Sequence, residues 1–74
     1  MTTKELIIRV TSYKDYVLFC GLVELVGGRI IDKNYDLRAN HHDILAELTR
    51  DQSVLILESL NGRGKLLASN KTQA

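Results

Sequence analysis

Seventy-four residues carry ten Lys and Arg against nine Asp and Glu, a net charge of +1, with 45% apolar residues, one Cys and no Pro or Trp. A chain this short folds as one domain and buries only about 60% of its unfolded surface, which leaves little interior for a deep substrate pocket. The balanced charge argues against a simple electrostatic nucleic-acid binder, and the single Cys20 precludes an intramolecular disulfide and fits a reducing cytosol.

Residues 4–11, KELIIRVT, read as a strand, because Leu6, Ile8 and Val10 alternate onto one face. Ser12 offers an N-cap, with Asp15 in the first turn of a helix over residues 13–26 that stops at Gly27-Gly28. Tyr16, Phe19, Cys20 and Val23 form one apolar stripe of this helix, and Leu18, Leu22 and Leu25 form another. A helix apolar on so much of its circumference is either sandwiched or presents one side to a partner. Cys20, inside YVLFCGLV, reads as a small buried apolar residue. Residues 28–38, GRIIDKNYDLR, begin as a strand and become polar. Asn40 is placed to cap a second helix, HHDILAELTR, with Asp43 in its first turn and Arg50 near its end. SVLILES, residues 53–59, is an uninterrupted apolar run that predicts a strand covered on both faces, and KLLAS, residues 65–69, is placed to pair beside it. The fold class is α+β: a single small sheet of three to four strands with one or two helices packed against it, in the order β-α-β-α-β-β. Residues 1–69 form the domain and 70–74 a flexible tail.

The opening MTTKELIIRV lacks the layout of a signal peptide. The longest apolar run, residues 16–31, is broken by Glu24 and Gly27-Gly28 and is too short to span a bilayer, so a cytoplasmic protein is expected.

Candidate chemistry is sparse. His41 and His42 are adjacent, and neighbouring residues on a helix point about 100° apart, so the pair is not placed to chelate one ion. No nucleophile elbow or phosphate loop is present. In LNGRGKLL, residues 60–67, Gly62 and Gly64 are two apart and Lys65 is followed by Leu66, which has no hydroxyl for a metal. Asn61-Gly62 instead predicts a hairpin turn that lifts Arg63 and Lys65 into solvent. Neither an enzyme, a cofactor nor a metal is expected.

Of this length, opening MTTKELIIRVTSYKDYVLF and lacking catalytic features, the chain resembles the family of small phage-encoded regulators of host RNA polymerase. The resemblance implies a non-catalytic protein that docks on the polymerase β′ subunit in the host cytoplasm. It further implies inhibition of promoter-specific initiation and promotion of antitermination. No functional residue carries over by motif. The residues themselves nominate Tyr13, Lys14, Arg29, Arg63 and Lys65 as partner contacts, because exposed Tyr beside basic side chains is a common interface composition. An alternative is a nucleic-acid binder with Arg29, Arg38, Arg63 and Lys65 gathered on one face around the 61–65 turn. A third reading pairs the apolar helix with its own copy, although a monomer is favoured.

Overall fold

The computed structural model describes residues 2–71, with side chains through residue 67. The elements are β1 (Thr3–Val10), α1 (Tyr13–Leu25), β2 (Arg29–Asp36), β3 (His41–Thr49), α2 (Arg50–Ser59) and β4 (Lys65–Lys71). The four strands form one open antiparallel sheet in the order β2-β3-β1-β4. Each helix therefore joins two strands that flank a third, the split β-α-β arrangement of ferredoxin-like domains. The α+β class and the single small sheet agree with the sequence.

α1 forms as its sequence predicts. The Ser12 hydroxyl accepts from the Asp15 backbone N–H at 3.1 Å. At the other end Gly27, at φ +86°, donates to the Glu24 carbonyl, and Gly28 donates to the Val23 carbonyl at 2.8 Å. This double bond pattern closes the last turn and needs the left-handed conformation that glycine adopts without strain. Gly28 is fixed by packing. A Cβ there would collide with Leu48 Cδ2 and press on Val23. Gly28→Ala should lower stability by about 1–3 kcal/mol in urea melts.

The structure corrects the order of the middle elements. Residues 41–49 are strand β3, not a helix. Ile44, Ala46 and Leu48 are buried at a spacing of two, while Asp43, Leu45 and Glu47 face the other way. Asn40 has φ 55° and completes a hairpin loop after Asp36, whose Oδ1 accepts from the backbone N–H groups of Arg38 and Ala39. It is a turn residue rather than a helix cap. Residues 50–59 are helix α2, not a doubly covered strand. Thr49 caps it through a reciprocal box: its hydroxyl accepts from the Gln52 N–H at 3.2 Å, and the Gln52 side chain accepts from the Thr49 N–H at 2.8 Å. Only Ile56 in α2 is fully buried, with Leu60 just beyond at helical spacing.

Asn61 and Gly62, at φ 54° and 84°, are thus not a hairpin between strands. They take the chain out of α2 and turn it into β4. Since β4 reaches Lys71, the first two residues of the expected tail belong to the sheet, and residues 72–74 lie outside the described residues.

Both helices pack on one face of the sheet. The core comprises Leu6, Ile8 and Val10 of β1, Ile44, Ala46 and Leu48 of β3, Phe19 and Val23 of α1, Ile56 of α2, and Leu60. Phe19 is its largest fully buried side chain.

Candidate protein-docking surface

Chain direction decides which candidate residues can act together. β1 ends where α1 begins, and β4 begins at Lys65 opposite Arg9, so Tyr13, Lys14, Arg63 and Lys65 share one end of the sheet. Arg29 starts β2 opposite Glu47, which in turn pairs with Glu5 near the start of β1. It therefore lies at the other end, with its Nη2 3.4 Å from Glu47 Oε1. The four basic residues proposed for nucleic acid are likewise divided, Arg38 joining Arg63 and Lys65 and leaving Arg29 apart.

Arg63 is held within the fold. Its Nε donates to Asp15 Oδ1 at 2.8 Å, and Asp15 is only 8% exposed. The pair ties the start of α1 to the connection between α2 and β4. Lys14 and Lys65 are exposed.

The most developed surface feature at this end is aromatic. His42 stacks on Tyr16 with ring centroids 4.5 Å apart, and Tyr35 lies 4.5 Å from His42 on its other strand neighbour. Tyr13 closes the group at 5.9 Å from Tyr16. Strand pairing of Tyr35 with His42 and the single helical turn between Tyr13 and Tyr16 produce this arrangement. The Tyr35 hydroxyl donates to Asn40 Oδ1 at 3.1 Å, which fastens the ring to the hairpin. Lys33 reaches the edge of the group, its Nζ 5.9 Å from the Tyr16 ring centre. Its hydrogen-bonding interaction with Tyr16 holds the ammonium above the usual lysine range. Tyr13 is 69% exposed and Leu37, on the adjoining hairpin, 79%. Burial pushes the thiol of half-buried Cys20 up, away from nucleophilic use.

His41 and His42 are neighbours on a strand and point to opposite faces. His41 sits 3.9 and 3.8 Å from the carboxylates of Asp36 and Asp43. Among the described residues, no group of three or more His, Cys, Asp or Glu is arranged to hold a metal ion. No helix among them is long and apolar enough to cross a membrane.

The sheet face away from the helices has a different chemistry. Its central strands present Glu5, Ile7 and Arg9 beside Asp43, Leu45 and Glu47. RNA-recognition sheets of related topology stack bases on aromatic residues at such positions. Here these strands carry no Phe, Tyr or Trp, their one ring on this face, His41, lies beside Asp36 and Asp43, and three of the six side chains are acidic. A shallow depression of about 230 Å³ lies between Ile7, Asp32, Asn34, Asp43 and Leu45. Arg9 grips one of the lining residues, donating through Nε and Nη2 to the two Asp43 oxygens at 2.8 and 3.1 Å. This two-pronged hydrogen bonding holds the Asp43 carboxyl below the usual carboxylate range. A depressed carboxyl stabilises the fold above its unfolded pKa of about 3.9, and that contribution is lost as pH falls through the folded value. Acid melts of the parent should accordingly steepen below about pH 4, and an Asp43→Asn variant should be weaker at neutral pH and lack that component.

Of the candidate contacts, Tyr13 belongs to the aromatic corner, while Lys14 is exposed on a different side of α1 at the same end of the sheet. Tyr35 and His42 also belong to it and do not stand out in the sequence, because the strand register alone brings them together. Reading YDLRANHH as a hairpin would have placed them opposite one another. Comparison with protein-family models and with curated proteins finds no match for this chain.

Proposed function

We propose that the chain is a non-catalytic protein-interaction module that acts in the cytoplasm on RNA polymerase, docking through the corner formed by Tyr13, Tyr16, Tyr35 and His42, with the exposed Lys14 at the same end of the sheet. The observation that carries the docking reading is the cluster itself. Three Tyr and a His gather at one edge of a small domain, with Tyr13, Tyr35 and Leu37 open to solvent. Rigid aromatic side chains with few rotatable bonds supply contact area at low entropic cost and dominate interface energetics. The polymerase as partner, with the β′ subunit as its docking point and effects on initiation and termination, rests on the resemblance of the chain to small phage regulators. The acidic sheet face without Phe, Tyr or Trp on its central strands and the pairing of Arg63 and Arg29 with carboxylates favour protein over nucleic acid as the primary partner.

Binding of labelled protein to purified bacterial RNA polymerase tests the reading. The parent should bind and should inhibit promoter-directed transcription. A Tyr13→Ala/Tyr35→Ala variant should keep its fold and lose about tenfold or more in affinity. Equal binding by parent and variant would move the docking site elsewhere, and absence of binding by the parent would remove polymerase as the partner.

A further inference from the structure

The outer surface of the helix layer is patterned in a way that neither the core nor the aromatic corner explains. α1 presents Val17, Gly21 and Leu25, spaced four apart, as one outward row, with Val17 50% and Leu25 81% exposed. α2 presents Arg50, Val54 and Glu58 at the same spacing, lining a shallow groove with Asp51 and Leu55. Rows at i, i+4 are the ridges by which helices interlock. Glycine is unfavourable within a helix, yet a Cβ on Gly21 would meet nothing within 4 Å, so the chain itself has no packing need for it. Neither the Arg50 nor the Glu58 side chain has an ion-pair partner among the described residues.

We infer that this layer is a self-complementary interface for a second copy of the chain, in place of the monomer favoured by sequence. The argument is one of symmetry. In an antiparallel twofold pairing about Gly21, Val17 meets Leu25 of the other copy and the two glycines allow the helices to approach closely. In the same pairing about Val54, Arg50 meets Glu58 of the other copy, twice per dimer. One axis must serve both rows, and it does. α1 ends and α2 begins at the same end of the sheet, where the Gln52 side-chain amide donates to the Val26 carbonyl at 2.8 Å. Gly21 lies four residues before the end of α1 and Val54 four residues after the start of α2, each about 6 Å from that end. A single twofold axis across the layer therefore satisfies the apolar row and the charged row together, as a closed isologous dimer requires. Tyr16, Tyr35, His42 and the hairpin are on no part of these rows, whereas Tyr13, four residues before Val17, continues the α1 row, so of the aromatic corner only Tyr13 borders the interface.

Sedimentation equilibrium over roughly 10 μM to 1 mM tests the interface at the weak end of specific association. The parent should dimerise with rising concentration. Arg50→Glu and Glu58→Arg should each weaken dimerisation about tenfold or more, because each sets like charges against each other at both ends of the row. An equimolar mixture of these two variants should recover a heterodimer, since one chain then carries only carboxylates at these positions and the other only guanidinium groups. Gly21→Leu, which favours the helix and meets no intramolecular contact, should also suppress the dimer while circular dichroism reports an intact fold. A monomer throughout that range, or a dimer unmoved by all three substitutions, would overturn the inference.

Discussion

Phe19→Ala is expected to abolish the folded state at room temperature. The ring is fully buried between α1, α2 and the central strands, and it is the only Phe of a chain without Trp. Truncating such a side chain removes its transfer free energy and leaves a cavity, a loss of about 3–5 kcal/mol. A single core in a domain of this size rarely supplies more than about 3–5 kcal/mol of net stability. The two magnitudes are equal, so the variant should lose its cooperative thermal transition and the dispersion of its amide NMR spectrum. Tyr13→Ala on the same helix should remain within about 0.5 kcal/mol of the parent, since that ring is largely exposed. A Phe19→Ala protein that melted cooperatively within about 1 kcal/mol of the parent would mean that the core is redundant at its centre.

That contrast also separates what the sequence makes legible from what it hides. The first half is regular: alternation in β1, a Ser cap, and a glycine pair that ends α1 are all local signals, and all three are realised. The second half misleads for physical reasons. In HHDILAELTR, Ile44, Leu45 and Leu48 mimic a helical stripe, whereas the buried positions are Ile44, Ala46 and Leu48. Ala46 is too small to weigh as a core residue on hydropathy, so the period of two is disguised. SVLILES is ambiguous by composition, because a short apolar run suits a buried strand or one helix face equally well. The decisive signal is the Thr49–Gln52 capping box, which lies at the boundary of the run rather than inside it. The aromatic corner inherits the same difficulty. Tyr13 and Tyr16 are near neighbours on α1, but Tyr35 and His42 meet only once residues 41–49 are a strand and their register is fixed.

Arg63→Ala, finally, distinguishes a structural clamp from a binding finger in LNGRGKLL. Asp15 is nearly buried, and Arg63 supplies its charged partner across 48 positions of sequence. Removing the guanidinium leaves a carboxylate with little water and one lost charge-assisted hydrogen bond, a cost of about 1–3 kcal/mol. The helix N-terminus softens that cost, since Asp15 sits in the first turn of α1, where negative charge is favoured. An Arg63→Ala/Asp15→Asn double variant should be less destabilised than the sum of the two single changes, because neutral Asn strands no charge once the arginine is gone. Lys65→Ala, an exposed change in the adjoining strand, should be close to neutral. If the proposed polymerase docking holds, Arg63→Ala should lose affinity only in proportion to the fraction unfolded, whereas Tyr13→Ala/Tyr35→Ala should lose it with the fold intact. If Arg63→Ala instead melted like the parent and failed to bind, the arginine would be a contact and the ion pair with Asp15 incidental. The burial of Asp15 makes the first outcome the expected one: a carboxylate kept that far from water needs its cation for the fold, whatever the loop also touches.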